Sequence, residues 1–442
     1  METLEERYLK EVHNNKNNLR KELSSLKENF KREALLYGKE EVRFLNVPYI
    51  ISQKDVALLK QTAEKTYQIL EKITRHYIND QNYRNLFGFS SLTNKLILSN
   101  AHYDCMIPIM RMDIFFNPKT KEIKFCEINT DGTSALKEIM DIDQAFVGTE
   151  TFKNIGGENN LKFSNMYDIL ADSILDVYST FRFKVNDPLV AIADYTENAA
   201  MPELGMIKTA FKNKGLRSII TNMRDFTYKN NHLYYGEHKI DLVYRRASTL
   251  EVMDKIEDSE ALMQNTFEGE TAILGHFRTQ VAHNKMLFAL ISKPATQAIL
   301  TDDEKSFVLA HFPFTTQMKN GNYDFNEVKY SREKWVVKPK DAVGESKVYV
   351  GTDMEQSAWE NALNEGISKD CLLQEYCEPF KMPNSYYNDD GVYTEDQFGT
   401  MIGLYVFNGE LKGFYPRAGK SGLISKGHGG FSMGAFIEEE KR

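Results

Sequence analysis

The sequence has few cysteines, no zinc-binding pattern and no long hydrophobic run. Its 442 residues include four cysteines, none in a CxxC pair, and its histidines form no cluster that would complete a zinc site. This pattern predicts free thiols in a reducing cytoplasm. No apolar stretch approaches the roughly 20 residues that a membrane-spanning helix needs, and the acidic N-terminus does not resemble a signal peptide. We therefore expect a soluble, cytoplasmic protein that does not contact a membrane.

The sequence also lacks a basic excess. It carries 55 Lys and Arg against 63 Asp and Glu, for a formal net charge of -8. Because nucleic-acid backbones require a basic surface, this balance argues against general nucleic-acid binding, whereas it is compatible with a cationic substrate. Hydrophobic residues make up 42% and charged residues 27%, which is ordinary for a globular protein. The length allows about three domains.

Several familiar motifs are incomplete in this chain. Residues 419–421 (GKS) resemble the end of a P-loop, but Phe414 stands at the position of its first glycine. Leu423 replaces the second glycine of a lipase-type G-x-S-x-G, and Ser432 replaces the last glycine of a dinucleotide fingerprint. The sequence contains no H-E-x-x-H. These absences remove most familiar nucleotide-binding and hydrolase classes.

Hydrophobic periodicity predicts both helical and strand-rich parts. Residues 2–39 and 55–77 carry apolar residues at helical spacing, and residues 108–129 predict a β-hairpin. Strand and helix patterns alternate between residues 188 and 246, which predicts a small parallel sheet covered by helices. From Trp335 strands predominate again, with a hairpin that turns at Asn408 and Gly409. We expect a glycine-rich loop over residues 418–434.

The first hairpin concentrates polar residues whose chemistry suits a cation. Arg111 and Asp113 alternate along one strand and share a face, and Glu127, Asn129 and Asp131 alternate along the other. Carboxylates on one face repel one another unless a cation lies among them. Hard oxygen ligands suit Mg²⁺, with phosphate oxygens completing the octahedron, and the arginine fork suits a phosphate or a carboxylate. The alternative is a solvated strand face with cross-strand ion pairs.

Three later segments add features of a nucleotide site. Lys338 lies near the end of an apolar strand, before a loop that contains Gly344, and can reach phosphates there. Gln374 and Glu375 lie on another strand and suit an adenine edge or ribose hydroxyls. Arg417 precedes the glycine-rich tail, whose glycines permit close approach of the backbone to a ligand. Each feature alone has an ordinary alternative: an exposed lysine, a buried strand or a frayed C-terminus.

In this order the motifs resemble the ATP-grasp superfamily, specifically the circularly permuted branch that includes glutathionylspermidine synthetase. R-x-D at 111–113 and E-x-N-x-D at 127–131 precede V-K-P at 337–339 and Q-E at 374–375. In ordinary ATP-grasp enzymes the lysine strands come first and the E-x-N motif comes near the end. The resemblance runs from about residue 108 to 430 and covers the synthetase module without the amidase domain of the bifunctional bacterial enzyme.

The resemblance implies an α/β (α+β) fold: a circularly permuted ATP-grasp with a pre-ATP-grasp α/β domain and N-terminal helices. It divides the chain into an N-terminal helical region (1–100), the metal-binding part of the ATP-grasp (101–150), a pre-ATP-grasp-like substrate domain (151–280) and the nucleotide-binding part with the C-terminal loop (281–442). The acidic hairpin and the lysine strand, roughly 200 residues apart, must then close around a single triphosphate.

The resemblance also implies roles for individual residues. The Mg²⁺ ligands would be Asp113, Glu127 and Asn129. Arg111 and Arg417 would be the catalytic groups that stabilise the transferred phosphoryl group. The implied ATP contacts are Lys338, Lys285 (on a helix predicted over 280–291), Gly344, Gln374 and Glu375. The implied substrate contacts are Asp131, Thr133, Ser134 and Arg245. Gly132 replaces one hydroxyl residue that the family often has, which puts glutathione as a substrate in doubt.

The implied function is that of an ATP-dependent carboxylate–amine ligase, which forms ADP and makes an amide bond through an acyl phosphate. Its partners would be a small-molecule or peptide carboxylate and an amine, polyamines included. No nucleic-acid or membrane partner is expected, and a homo-oligomer is compatible with the sequence. Two alternatives stay open: a catalytically inactive nucleotide-binding scaffold, and a small-molecule kinase.

Overall fold

The computed structural model describes residues 3–22, 36–37, 40–319, 321–341, 347–388 and 390–439. Helices and several separate sheets make this an α+β fold. The helices are α1 (Leu4–Asn14), α2 (Gln53–Asn79), α3 (Gln81–Asn85), α4 (Ser91–Leu98), α5 (Leu136–Val147), α6 (Glu150–Asn154), α7 (Gly157–Asn160), α8 (Met166–Ser179), α9 (Met201–Asn213), α10 (Thr249–Asp254), α11 (Glu260–Glu268), α12 (Gln280–His283), α13 (Met286–Leu290), α14 (Pro294–Gln297), α15 (Asp302–His311), α16 (Phe325–Tyr330) and α17 (Gln356–Ser368).

The strands form several small sheets and one large one. They are β1 (Leu36–Tyr37), β2 (Glu40–Glu41), β3 (Tyr49–Ile51), β4 (Ile109–Phe116), β5 (Ile123–Asn129), β6 (Leu161–Lys162), β7 (Leu189–Asp194), β8 (Arg217–Asn222), β9 (Phe226–Lys229), β10 (His232–Tyr235), β11 (His238–Lys239), β12 (Leu242–Arg245), β13 (Ala272–Leu274), β14 (Thr315–Gln317), β15 (Trp335–Lys338), β16 (Tyr349–Val350), β17 (Leu372–Glu375), β18 (Lys381–Tyr387), β19 (Tyr393–Phe407), β20 (Glu410–Gly419), β21 (Phe431–Ser432) and β22 (Ala435–Glu438).

The six-stranded sheet joins two distant parts of the chain. Its antiparallel order is β21-β20-β19-β4-β5, and β18 also pairs with β19. Both predicted hairpins are confirmed, β4 with β5 and β19 with β20. The second turns at Asn408 and Gly409, whose φ angles of 52° and 86° suit a two-residue turn. Because β4 pairs with β19, Ile114 lies opposite Ile402.

Two four-stranded sheets lie in sequence between the two parts of this large sheet. The predicted parallel sheet is confirmed, with the order β13-β12-β7-β8. The antiparallel sheet β14-β17-β15-β16 packs one face on α17, where Val337 and Leu373 meet Trp359 and Leu363 in one core. Since side chains alternate along a strand, Lys338 lies on the other face from Val337.

Two segments differ from the prediction. The helix predicted over 280–291 is broken, because α12 ends at His283 and α13 begins at Met286, with Asn284 extended between them. The tail predicted as a loop over 418–434 contains β21, which pairs with β20; β22 follows it and pairs with β3 and β6. Buried Phe431 and Phe436 account for these strands. Because these strands pair with strands that are distant in sequence, the composition of the tail does not predict them.

The N-terminal helix packs on the body of the protein. Tyr8 and Val12 of α1 are fully buried, and they share a core with Phe146 and Phe436. The helix predicted over 55–77 is confirmed as α2. In the described ranges no helix combines the length and the apolar character that crossing a membrane requires.

Candidate active site

Five polar side chains meet on one face of the six-stranded sheet. In the hairpin Arg111 lies opposite Asn129, and Asp113 lies opposite Glu127. This register confirms that the polar residues of the two strands share a face. Arg417 reaches the same face from β20, two strands away from β4. It belongs to the second strand of the predicted hairpin and precedes the C-terminal segment, as the sequence indicates.

Asp113 binds both arginines. Arg111 donates through Nε and Nη2 over 2.8 and 3.1 Å, and Arg417 donates through Nη2 over 2.6 Å. The carboxylate is 2% exposed, and Asn129 Nδ2 lies 3.3 Å from it as a further donor. Burial acts to lower the pKa of each guanidinium, but Asp113 and the nearby Tyr415 together outweigh burial, and the pKa of both arginines is raised. The Asp113 carboxylate therefore fixes the positions of two permanently charged guanidinium groups.

The ion pair between Asp113 and Arg417 crosses a whole strand. Strand β19 lies between β4 and β20, and neighbouring strands are about 4.8 Å apart, so the two side chains span roughly twice that distance. Gly403 of β19 lies opposite Asp113 on one side and Tyr415 on the other. A Cβ at this position would lie 2.8 Å from Arg111 Cδ and 3.0 Å from Asp113 Oδ1. Gly403 thus provides the gap in which the ion pair forms.

Glu127 binds a lysine from the broken helix. Lys285 Nζ lies 2.8 Å from Glu127 Oε1. Lys285 follows the break after α12, and its backbone N–H donates to the carbonyl of Lys340 over 2.9 Å. Burial acts to raise the pKa of Glu127, but Lys285, Lys338 and His283 outweigh it and lower this pKa to about 2. The carboxylate is therefore ionised at neutral pH.

Lys338 connects the β14–β17 sheet to the hairpin. It is the last residue of β15, and its Nζ donates to the backbone carbonyl of Cys126 over 3.3 Å. The acidic hairpin and the lysine strand therefore line one cleft, as the order of the motifs predicts. The cleft encloses about 730 Å³, its open mouth included.

The cleft lining divides into apolar and charged side chains. The apolar group is Phe115, Phe125, Pro313, Val336, Val348, Val350, Met401, Leu423 and Ile424. Lys285, Lys338 and Arg417 line it beside Glu127. With Glu375, which also lines the cleft, and the Arg111–Asp113 pair that contacts Arg417, this group has four cations and three carboxylates, an excess of one positive charge. Such an excess favours an anionic ligand.

The predicted nucleotide contacts on β17 also line the cleft. Gln374 is buried, and its Nε2 donates to Thr315 Oγ1 over 3.0 Å. Glu375 is exposed and accepts from the N–H of Phe314 over 3.3 Å. It lies three residues along β17 from Leu372, the partner of Lys338, so it is roughly 10 Å away from the lysine. The predicted contact at residue 344 lies outside the described residues.

Asp131 and Arg245 bind each other inside the fold. Strand β5 ends at Asn129, so Asp131 does not extend the acidic face as expected. Arg245 Nη2 lies 2.7 Å from Asp131 Oδ1, and the two side chains are 0% and 1% exposed. Arg245 also donates to the carbonyls of Gly275 and Ala247. Both side chains are therefore enclosed, and their ionic contacts are with each other.

Thr133 and Ser134 lie between β5 and α5. The Thr133 carbonyl accepts from Arg246, which also binds Glu203 over 2.8 Å in a buried ion pair. Ser134 is exposed, and its carbonyl accepts from Arg111 Nη1 over 3.3 Å. Of the predicted substrate residues, Ser134 is therefore the accessible one beside the arginines.

The donor chemistry of the hairpin fits magnesium in part. Across the described residues, no cluster of three or more His, Cys, Asp and Glu side chains is placed to hold a metal ion. The oxygens of Asp113 bind two arginines, so this residue fits a metal less well than predicted. Asn129 donates Nδ2 to Asp113, which leaves its amide oxygen for a cation. Glu127 and Asn129 thus supply two hard oxygen ligands, and phosphate oxygens would have to supply others.

Two contributors to the site, Gly403 and Asp341, belong to none of the motifs recognised in the sequence. A glycine inside a strand is a signal for close approach of another group, and this signal could have identified Gly403. The other contributor is Asp341, three residues after Lys338. It accepts from Gln280 and Asn284 over 2.6 and 3.4 Å, and burial raises its pKa despite the nearby Lys285. Nothing local in the sequence marks Asp341, because its partners come from the broken helix.

The first prediction concerns the gap at Gly403. Gly403→Ala places a methyl group against Arg111 and Asp113, and we expect the free energy of unfolding in urea to fall by about 1–3 kcal/mol. The matched control is Gly205→Ala in α9, where an added Cβ meets open space. That change should raise the free energy of unfolding by about 0.5–1 kcal/mol. Equal shifts of the same sign would contradict the steric argument.

The second prediction separates a structural from a substrate-binding role for Asp131. Asp131→Asn leaves the buried Arg245 without its ionic partner, so we expect a loss of about 3–5 kcal/mol in the free energy of unfolding. Asp187→Asn is the control, because Asp187 pairs with Arg217 over 3.2 Å at the exposed surface. We expect it to cost at most about 1 kcal/mol. Similar urea midpoints for the two variants would refute the structural assignment.

Comparison with known proteins supports the fold assignment. No family model matches the chain, and a search of curated proteins finds no match. Among solved structures, a glutathione synthetase-like effector (GSS30) from Globodera pallida, in its apo form, matches with a TM-score of 0.66. The sequence identity is 10%, and the match covers 95% of this chain and 97% of that chain. The chain therefore shares the overall fold of this glutathione synthetase-like effector.

Proposed function

We propose that the chain is an ATP-dependent carboxylate–amine ligase that forms ADP and makes an amide through an acyl phosphate. The observation that carries the proposal is the single cleft in which the acidic hairpin faces Lys338. Permanent cations, hard oxygen ligands and an apolar wall meet there, as a nucleoside triphosphate requires. The hairpin precedes the lysine strand in sequence, which is the order expected of a circularly permuted ATP-grasp.

The phosphates of ATP would lie against the cationic part of the cleft. Lys338 and Lys285 would contact phosphate oxygens, and the apolar lining with Gln374 and Glu375 would accept the adenosine. Arg111 and Arg417 would stabilise the transferred phosphoryl group, because Asp113 holds both at one point of the sheet. In this arrangement Asp113 positions the arginines, which differs from the predicted role as a metal ligand.

Glu127 and Asn129 would bind Mg²⁺, which when bound neutralises charge on the phosphates. The proposed reaction has two displacements. A carboxylate oxygen of the acid attacks the γ-phosphorus, the bond to the β,γ-bridging oxygen breaks, and ADP leaves. The amine nitrogen then attacks the acyl carbon, the bond from that carbon to the phosphate oxygen breaks, and the nitrogen loses a proton. The chain contributes position and positive charge at both steps.

The substrates are proposed as classes only. The acid would be a small molecule or a peptide carboxylate, and the amine an amino compound that includes polyamines. Exposed Ser134 beside Arg111 offers a hydroxyl for the acid. Asp131 and Arg245 are not assigned to substrate, since both are enclosed.

The alternative function is a nucleotide-binding scaffold without turnover. One observation favours it: Asp131 and Arg245, which the resemblance assigns to substrate, are bound to each other in the fold. A scaffold would keep the nucleotide cleft and lose the substrate contacts. Binding of nucleotide without any transfer would therefore identify the scaffold.

The third prediction tests the transfer step directly. Hydroxylamine attacks acyl phosphates, so it can replace the unknown amine while a panel of amino acids and small peptides is tested as the acid. With ATP and Mg²⁺ we expect a hydroxamate, ADP and phosphate in equal amounts, detected by mass spectrometry and nucleotide chromatography. AMP with pyrophosphate would exclude the acyl-phosphate mechanism.

A substitution at Lys338 tests whether the cleft binds ATP. Lys338→Met removes the cation at the end of β15 and should weaken ATP binding at least about tenfold, because a charged phosphate contact is lost. Lys334→Met is the matched control, since Lys334 is exposed just before the same strand. Isothermal titration calorimetry measures both variants. Equal affinities would refute the assignment of the cleft to nucleotide.

A further inference from the structure

One aromatic ring supports both arginines of the cleft. Tyr415 precedes Arg417 by two residues on β20 and shares its face of the sheet. The guanidinium carbons of Arg111 and Arg417 lie 5.4 and 5.0 Å from the ring centroid. Cations within about 6 Å of an aromatic face are attracted by its quadrupole. The arginines are therefore positioned by two groups, the Asp113 carboxylate and the Tyr415 ring.

A buried carboxylate positions Tyr415. The Tyr415 hydroxyl donates to Glu138 Oε1 over 2.8 Å. Glu138 is 6% exposed and lies in the first turn of α5, where the helix dipole favours a negative charge. Burial raises the pKa of Tyr415 well above its ordinary value, so its hydroxyl stays protonated and serves as the donor. This hydrogen bond holds the ring in place below the arginines.

The same carboxylate binds the C-terminal part of the chain. Lys426 Nζ donates to Glu138 Oε2, and Ser432 Oγ donates to Oε1. Lys426 belongs to the segment 420–430, in which Gly422 and Leu423 line the cleft. Glu138 thus connects α5 to β20, to the 420–430 segment and to β21.

We infer that Glu138 is a positioning residue for the transfer site. Through Tyr415 it sets the positions of Arg417, which lines the cleft, and of Arg111 beside it. Because Lys426 also binds Glu138, the positions of the two arginines depend on the 420–430 segment. Neither Glu138 nor Tyr415 lines the cleft, so both act through the arginines. The inference rests on the proposed function, in which the arginines face the transferred phosphoryl group.

The relative affinity of the cleft for a triphosphate and a diphosphate reports on the positions of Arg111 and Arg417. ADP lacks the terminal phosphoryl group that the arginines would face, whereas the non-hydrolysable analogue AMP-PNP carries it. Tyr415→Phe keeps the ring and removes the hydroxyl, and Glu138→Gln removes the charge. For both variants we expect the ratio of the Kd for ADP to the Kd for AMP-PNP to fall about three- to tenfold, with the Kd for ADP unchanged. Calorimetry on the full chain with Mg²⁺ gives both constants.

The matched control is Tyr393→Phe. The Tyr393 hydroxyl donates to Glu395 over 2.8 Å in the same kind of bond, but at the exposed surface. This variant should keep the wild-type ratio. Lys426→Met tests the link to the 420–430 segment, and it should lower the ratio in the same direction as Glu138→Gln.

The experiment can contradict the positioning role of Glu138 without contradicting the proposed function. An unchanged ratio in Tyr415→Phe and Glu138→Gln overturns the positioning role. Equal weakening of ADP and AMP-PNP also overturns it, because a merely structural role affects both nucleotides. An unchanged ratio in Lys426→Met overturns the link to the 420–430 segment. A wild-type chain that binds neither nucleotide overturns the proposed function, and this inference with it.

Discussion

The Asp113 carboxylate lies between two guanidinium groups that arrive from opposite sides of strand β19. Without it, Arg111 and Arg417 would bring two like charges together in a buried place, where repulsion is strong. The pairing is possible because Gly403 leaves the middle of the face empty. The geometry of the cleft therefore depends on the Asp113 carboxylate and on the lack of a side chain at Gly403.

The balance of charge distinguishes the cleft from the rest of the interior. Arg245 with Asp131 and Arg246 with Glu203 are closed ion pairs in which each cation meets one carboxylate. In the cleft the cations outnumber the carboxylates, although the lining is partly buried. Burying an uncompensated charge is costly, so an excess of this kind favours a site that binds an anion. The same reasoning separates residues that stabilise the fold from residues that are available to a ligand.

The predictions that succeeded depended on local patterns. The β4–β5 hairpin, the parallel sheet and the Asn408-Gly409 turn each follow from a periodicity of two or from a specific turn pair. The predictions that were wrong depended on distant partners. The break before Lys285 permits its contacts with Glu127 and Lys340, and part of the tail predicted as a loop is strand β21 because it pairs with β20. Such partners are far apart in sequence and leave no local signal.

The sequence by itself determined which chemical groups are present and in what order, because residue identity and short-range spacing are local properties. It therefore indicated carboxylates, an amide and an arginine on one hairpin, followed much later by a lysine strand. Only the tertiary structure decided which of these groups face a cleft and which neutralise each other. Asp131 and Asn129 are two residues apart, yet one is enclosed with Arg245 and the other faces the arginines. That difference arises from where β5 ends and from what packs beyond it, and both are set by contacts between distant parts of the chain.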